Sequence, residues 1–277
     1  MPELPEVETV RRGLAQAMEG RLIKSVKVRR YDLRFPVPAD FSDRLRGRRL
    51  MTLERRAKYL VCTFDDKTVM LAHLGMSGRM VIENRGHPNV PGQFVLKKGM
   101  HDAHEHIVFE IDTGTTIRFS DPRRFGMMLL TTTRELSSHK LIRHLGPEPM
   151  EDTFTGPVLA ARLKGKKTPI KLALLDQRVV AGVGNIYACE ALYAARISPR
   201  RGAFTVQGER AARLASAVRT VLKRAIDAGG SSLRDHVAPS GELGYFQHSF
   251  SVYGREGEPC PGCDCERSVQ WIVQGGR

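Results

Sequence analysis

Three cysteines near the carboxyl end of the sequence carry its most direct signal for metal chemistry. Cys260 and Cys263 are separated by two residues, and Cys265 follows them closely. This spacing is typical of one half of a tetrahedral zinc site, whose second pair of ligands normally lies about 15–20 residues further on. Only fourteen residues follow Cys263, and they contain Cys265 but no histidine. The pattern leaves two alternatives, a degenerate site or a sequence that is shorter than the natural chain.

The segment SDPRRFGMM at positions 120–128 combines basic and aromatic side chains. After a predicted strand, Asp-Pro introduces a loop in which Arg123 could hydrogen-bond an exposed base and Phe125 could wedge between base steps. In the alternative interpretation, Phe125 belongs to the core and the arginines pair with Asp121. Both interpretations stay open at this point.

Two glycine-bounded turns also carry side chains suited to nucleic-acid contacts. HLGMSGRM places His73 and Met76 in such a turn, where they are either functional or packed. In GVGNIY, Gly182 and Gly184 allow a sharp turn before a helix. The N-terminus of that helix could offer N–H groups to a phosphate, with Asn185 as a further donor.

The opening MPELPEVETVRRGL predicts a helix. Pro5 suits the first helical turn, and the carboxylates near it meet the positive end of the helix dipole. A buried stripe is expected at Val7, Val10, Leu14 and Met18. A helix start does not explain Pro2 and Glu3.

The elements that must position these residues divide the chain into a β half and a helical half. Hairpins are predicted with turns at 65–67 and 112–114, and a long surface loop at 84–100. Alternation of Tyr59, Val61 and Thr63 places Lys58 on the opposite face of its strand. Helices are predicted on both sides of GVGNIY and at about 207–228, and short strands around the final cysteines. Cys62 and Cys189 are interpreted as small buried hydrophobes.

The charge balance indicates the class of partner. The 277 residues carry a net charge of +14, which favours a polyanion such as nucleic acid over a merely solvated basic surface. No apolar run is long enough for a transmembrane helix, and no signal-peptide core is present, so a cytoplasmic protein is expected.

Taken together, these motifs resemble the formamidopyrimidine-DNA glycosylase family. The matching segments occur in the family's order over nearly the whole chain: PELPEVE, RRAKYL, HLGMSG, DPRRFG, LGPEP, KTPIKLALLDQRVVAGVGNIYACEAL, VYGREGEPCPGC and GGR. The resemblance implies a bifunctional base-excision repair enzyme, both DNA glycosylase and abasic-site lyase. It removes oxidised purines such as 8-oxoguanine and formamidopyrimidines, then cleaves the strand by β,δ-elimination.

The resemblance also implies roles for individual residues. After removal of Met1, the amine of Pro2 is the nucleophile that forms a Schiff base, with Glu3 as general acid and Glu6 in support. Lys58 serves β-elimination and Arg277 serves δ-elimination. Contacts to DNA are implied for His73, Met76, His104, Arg123, Phe125, Lys167, Lys171 and Asn185.

The implied architecture is α+β. It comprises an N-terminal β-sandwich with flanking helices (1–135), a linker (136–150), a helix–two-turn–helix domain (151–240) and a zinc-finger hairpin (241–277). Damaged double-stranded DNA lies in the basic cleft, and a monomer associated with the bacterial nucleoid is expected. The family holds one zinc ion per chain, here with Cys260 and Cys263 as half of its ligands. Because the second pair is missing, we expect a shortened sequence.

Three rival functions remain for comparison. Endonuclease VIII, which prefers oxidised pyrimidines, shares the Pro–Glu start and the lysine, but Leu4 and the DPRRFG loop favour the purine branch. A non-catalytic binder of damaged DNA, or a basic scaffold, would not need Pro2, Glu3 and Lys58 together.

Overall fold

The computed structural model describes residues 2–83, 103–231, 245–262 and 266–276. The predicted loop at 84–100 therefore lies outside the described residues. The chain forms two compact units, Met1–Arg143 with Ala228–Tyr245, and His144–Asp227 with Phe246–Arg277. Residues 228–231 group with the first unit. None of the helices within the described ranges has the length and apolarity needed to cross a membrane.

The first unit begins with the predicted helix, α1 (Leu4–Met18), which has Pro5 in its first turn. All four residues of the predicted stripe, Val7, Val10, Leu14 and Met18, are buried. This confirms the period of the helix and the face that it turns to the core.

Two four-stranded antiparallel sheets follow in the first unit. One has the order β1 (Ile23–Val28), β6 (Glu105–Ile111), β7 (Thr116–Ser120) and β5 (Arg79–Glu83). The other has the order β2 (Leu50–Arg56), β3 (Tyr59–Phe64), β4 (Thr68–His73) and β8 (Met127–Thr132). Both predicted hairpins are confirmed, as β3–β4 and β6–β7. Short helices α2 (Phe41–Leu45) and α3 (Thr133–Leu136) complete this part.

One core joins the two sheets and α1. Leu60 and Cys62 of β3, Phe109 and Phe119 of the other sheet, and Val10 of α1 belong to a single buried cluster. The burial of Cys62 is confirmed. On the other face of β3 and β4, Val61, Val69 and Leu71 form a small second cluster covered by Leu136 and Ile142. The α+β class and the N-terminal sandwich are therefore confirmed.

The second unit is helical. It contains α4 (Gly156–Leu163), α5 (Ile170–Leu175), α6 (Asn185–Ala194) and α7 (Glu209–Asp227), with a 3-10 turn at Ala203–Thr205. The helices predicted around GVGNIY are α5 and α6, and the one predicted at 207–228 is α7. Cys189 is only half-buried, so the prediction that it is a core hydrophobe is wrong.

The carboxyl-terminal part of this unit differs from prediction. After a 3-10 turn at Phe246–Ser249, the described residues form no extended strand, only an isolated bridge between Pro259 and Ser268. Backbone hydrogen bonds from Gly257 to Val269 and from Cys260 to Arg267 hold this turn together. Proline lacks an N–H, so Pro259 interrupts the ladder that a longer hairpin would need.

Candidate active site and nucleic-acid interface

The start of α1 forms a buried polar corner. Pro2 is buried, and Glu3 and Glu6 are each 1% exposed. Glu3 is the N-cap of α1 and forms a capping box with Glu6, whose Oε2 accepts the Glu3 N–H at 2.9 Å. A buried carboxylate avoids the cost of desolvation only when it is hydrogen-bonded. The pairing of Glu6 with the Glu3 N–H therefore fixes the backbone that carries Pro2 and Glu3.

Glu6 also binds a residue that is distant in the sequence. Its Oε1 accepts from the N–H of Ser231 at 2.9 Å and from the Ser231 hydroxyl at 2.8 Å. Gly230 has φ +82°, and a Cβ there would lie 3.3 Å from Glu6 Cγ. Glycine is therefore favoured where residue 231 meets the N-terminal corner.

Lys58 lies in a tight turn and not within a strand. β2 ends at Arg56 and β3 begins at Tyr59, so Ala57 and Lys58 form the turn between them, with φ +54° at Ala57. The Ala57 carbonyl accepts a hydrogen bond from Arg55 Nη1 at 3.0 Å. The prediction that Lys58 occupies one face of its strand is wrong, because alternation in β3 does not extend across the turn.

His73 is a neutral side chain within electrostatic range of Lys58. Burial, Lys58 and Arg34 lower the pKa of His73 to about 4. Its Nδ1 accepts the Gly75 N–H at 2.9 Å, and its ring centroid lies 5.0 Å from that of Tyr59. A neutral imidazole that accepts at Nδ1 carries its proton on Nε2, so His73 can donate a hydrogen bond but carries no positive charge at pH 7.

Met76 and Phe125 protrude from two adjoining loops. They are 39% and 42% exposed. A Cβ on Gly75 would lie 2.5 Å from the Gly126 nitrogen, so the two loop backbones are in direct contact. The guanidinium carbon of Arg123 lies 4.8 Å from the centre of the Phe125 ring, and both side chains are exposed. The loops present apolar and cationic groups on one surface.

The alternative interpretation of the DPRRFG loop is wrong. Phe125 is not in the core, and the carboxylate of Asp121 is bound by Ser77 and by the Gly126 N–H. Arg124 pairs instead with Asp32, at 2.7 Å. His104 is exposed beside this loop, where its carbonyl accepts the Asp121 N–H at 3.0 Å.

The predicted contacts of the second unit differ in exposure. Lys167 is exposed, whereas Lys171 in α5 is only 4% exposed. Asn185 is the first residue of α6, and its Oδ1 is buried without a hydrogen-bond partner in the described parts of the chain. Burial gives Lys171 far less surface than Lys167 for contact with a phosphate.

Gln177 organises the glycine turn before α6. Its Oε1 accepts the Gly182 N–H at 2.8 Å, and its Nε2 donates to the Val183 carbonyl at 2.8 Å. Gly182 has φ +83°, which favours glycine. The side-chain amide thus satisfies two backbone groups of this turn, the Gly182 N–H and the Val183 carbonyl. These hydrogen bonds fix the turn that leads into α6.

Glu190 of α6 binds the start of the carboxyl-terminal segment. Its carboxylate accepts the N–H groups of Ser251, Val252 and Tyr253 at 2.8–2.9 Å. The residue is 4% exposed. Successive backbone N–H groups form a concave anion site, so Glu190 fixes this segment on α6.

A complete zinc site is not found among the described residues. Cys260 is half-buried, whereas Cys263, Cys265 and Arg277 lie outside the described residues. The described chain contains no group of three His, Cys, Asp or Glu side chains arranged to hold a metal ion. Cys260 is the only described residue of the predicted ligand pair, so no step of the reaction is assigned to zinc.

Two family models match the chain. Residues 1–128 match the formamidopyrimidine-DNA glycosylase N-terminal domain, and residues 145–237 match the H2TH domain of the same glycosylase. The chain belongs to the formamidopyrimidine-DNA glycosylase family. It is therefore an α+β DNA glycosylase and abasic-site lyase of base-excision repair.

Individual relatives agree with this membership. The formamidopyrimidine-DNA glycosylase of Azorhizobium caulinodans is 52% identical over 283 residues, which cover all of this chain and 97% of the relative. The MutM (Fpg) crystal structure from Thermus thermophilus has a TM-score of 0.85 at 38% identity, covering 100% of this chain and 95% of that one. A Lactococcus lactis Fpg mutant in complex with Fapy-dG-containing DNA has a TM-score of 0.86 at 30% identity, with coverage of 100% and 96%.

Within this glycosylase, sequence reasoning missed several polar residues that organise the site. They are Ser77, Asp121, Gln177, Glu190 and Ser231. All but Ser231 lie inside quoted family segments, so the segments marked the region but not the partner of each side chain.

Proposed function

We propose that Pro2, freed by removal of Met1, is the nucleophile of this glycosylase. Its nitrogen attacks C1′ of the damaged nucleotide, forming an N–C bond while the bond to the base breaks. The base leaves with the electron pair and takes up the proton that the amine loses. An α-amino group has a pKa of about 7.7–8.0, so a useful neutral fraction exists near pH 7. The observation that carries the proposal is the buried Glu3–Glu6–Ser231 corner, which fixes the backbone next to Pro2.

Glu3 supplies the proton as the sugar ring opens. It lies next to the nucleophile in the chain and is 1% exposed, so the water that would compete for its proton is largely excluded. Glu6 supports this step as a positioning residue, since its carboxylate holds the Glu3 backbone.

Lys58 is proposed to assist β-elimination, and Arg277 δ-elimination. Lys58 lies in the turn before β3 and not within a strand. Its neighbour His73 is neutral and adds no further positive charge.

Damaged duplex DNA is the proposed substrate, bound by a monomer with the nucleotide extruded from the stack. Met76, Arg123 and Phe125 fill the space that the nucleotide leaves. The remaining proposed contacts to phosphate or sugar are His73, His104, Lys167 and Asn185. The buried Lys171 is expected to contribute less than Lys167. The net charge of +14 supports this partner. Residues 1–135 serve catalysis and residues 151–240 serve DNA binding, in the cytoplasm at the nucleoid.

The decisive experiment is borohydride trapping on a duplex that carries 8-oxoguanine opposite cytosine. We expect a covalent protein–DNA product that peptide mass spectrometry assigns to Pro2. Pro2→Gly is the matched variant, and we expect it to bind the duplex while giving little crosslink.

Two outcomes would contradict the proposal. A crosslink on another residue would remove Pro2 from its role, and binding without any crosslink would identify a damage binder. Excision from a parallel duplex that carries an oxidised pyrimidine distinguishes a purine-specific enzyme from endonuclease VIII. Endonuclease VIII would release the pyrimidine faster than the purine.

A further inference from the structure

We infer that Ser77 and Asp121 are positioning residues that lock two loops into one rigid element for base extrusion. We call this pair the loop latch. The loops are residues 74–78, which carry Met76, and residues 121–126, which carry Arg123 and Phe125. The inference rests on the proposed function, in which those three side chains enter the duplex.

The loop latch is a buried hydrogen-bonded pair. The Ser77 hydroxyl donates to Asp121 Oδ1 at 2.6 Å, with Asp121 fully buried and Ser77 6% exposed. The second carboxylate oxygen accepts the Gly126 N–H at 2.7 Å. Hydrogen bonds to a buried carboxylate are short and strong, and losing one donor leaves an uncompensated charge.

The same two side chains also hold the backbone of the exposed residues. The Arg123 N–H donates to Ser77 Oγ at 3.2 Å, so the hydroxyl of one loop fixes the residue that the other loop presents. The Asp121 carbonyl accepts from Arg124 N–H at 3.1 Å and from His106 Nε2 at 2.8 Å. Asp121 therefore binds neighbours on both sides through side chain and backbone.

Close packing of glycine makes the two loops move together. A Cβ on Gly126 would lie 2.7 Å from Phe119 and 3.0 Å from both Asp121 Oδ2 and the His73 carbonyl. A residue outside the two loops also holds Gly126, because the Arg34 N–H donates to the Gly126 carbonyl at 3.2 Å. Because the backbones touch and share the loop latch, displacement of one loop displaces the other.

The functional consequence follows from geometry. Met76, Arg123 and Phe125 are exposed and carry little packing of their own, so their positions depend on the backbone beneath them. Filling a vacated stack requires them to arrive together, and misplacement by about 1 Å can cost up to about a hundredfold in rate. The loop latch holds these three side chains in fixed relative positions without itself touching DNA.

The test compares two duplex substrates, one with 8-oxoguanine and one with a preformed abasic site, which has no base to extrude. Ser77→Ala and Asp121→Asn are the variants, and Asp65→Asn, at the exposed β3–β4 turn, is the matched control. Asp121→Asn keeps an acceptor for Gly126, so it remains a folded probe if a larger truncation at this position does not fold.

We expect Ser77→Ala to slow single-turnover excision of 8-oxoguanine about tenfold. Asp121→Asn should slow it by less, because asparagine keeps an acceptor for Gly126 and can donate to the Ser77 hydroxyl. Cleavage of the abasic duplex should stay within about twofold of the parent, and the control should match the parent on both. The double variant should lose no more than the worse single variant, because the two side chains act as one unit.

Other outcomes would overturn the inference. Equal losses on both substrates would show a general structural effect, and unchanged excision would show that the loops need no latch. Failure of the parent protein to crosslink an abasic duplex through Pro2 would instead contradict the proposed function, so the two failures are distinguishable.

Discussion

A buried carboxylate organises a surface segment in each unit of the molecule, but the two carboxylates work differently. Asp121 binds one hydroxyl and one backbone N–H, within two loops that are in contact. Glu190 binds three consecutive backbone N–H groups at 251–253 and has no side-chain donor among those bonds. The first arrangement joins two loops, whereas the second attaches a chain segment to a helix.

The difference shows which chemical property is required at position 121 and which at position 190. A hydroxyl can reverse its hydrogen bond and accept from an amide, so asparagine at position 121 retains most of the geometry. Backbone N–H groups can only donate, so the amide NH₂ of glutamine at position 190 would face donors. Two acceptor oxygens are therefore required at Glu190, whereas one acceptor and one group that pairs with the hydroxyl suffice at Asp121.

The largest expected effect tests that distinction directly. Glu190→Gln should lower the free energy of unfolding by about 3 kcal/mol, because its NH₂ group would face a backbone N–H that has lost its acceptor, and a charge-assisted acceptor becomes a neutral one. Asp121→Asn should cost about 1 kcal/mol, because most of its hydrogen bonds persist. Urea unfolding of both variants measures the difference, and equal losses would remove the distinction between the two carboxylates.

A second prediction uses pH to separate the regions. His73, beside the first-unit loops, has a folded pKa of about 4, below its ordinary value of 6.5, so the unfolded chain binds the extra proton first. Stability should be intact above pH 6.5 and should fall by about 3 kcal/mol as pH decreases from 6.5 to 4. Urea titrations across this range measure it.

His73→Gln is the control for this effect, since glutamine does not titrate. Its unfolding free energy should depend less steeply on pH between 6.5 and 4. A slope equal to that of the parent would show that other groups, and not His73, cause the acid sensitivity.

A third, smaller effect concerns DNA binding by each unit. Lys167→Gln in the second unit should lower the slope of log affinity against log salt by about 1, because a phosphate contact is lost. Arg123→Gln in the first unit should change the slope by less, because its side chain enters the base stack. Fluorescence anisotropy on a lesion duplex at several salt concentrations gives the slope. Lys171→Gln is the matched buried lysine, and a full unit of change there would contradict the inference drawn from its burial.

The smallest expected effect is on stability at the exposed aromatic residues. Phe125→Ala should change the free energy of unfolding by less than about 0.5 kcal/mol, because the ring is 42% exposed. Phe204→Ala, in the second unit with a ring that is 50% exposed, is the comparison. Only the Phe125 variant should slow excision, and a similar loss at Phe204 would contradict the role of Phe125.

Local patterns in the sequence predict the secondary-structure elements and the family. The helical spacing of apolar residues predicted the buried face of α1, and turn residues predicted the β3–β4 and β6–β7 hairpins. These patterns depend on neighbours only a few residues apart. Ordered motifs marked Pro2, Glu3 and Lys58 as candidate catalytic residues. Alternation misplaced Lys58, because a period cannot show where a strand ends and a turn begins.

Only the tertiary structure decided which polar groups meet. Glu6 binds Ser231 across 225 positions, and Asp121 binds Ser77 across 44. It likewise decided that Phe125 is exposed and that Lys171 is buried. The physical reason is that a buried carboxylate needs donors from any part of the chain that the fold brings near, and no local pattern encodes that partner.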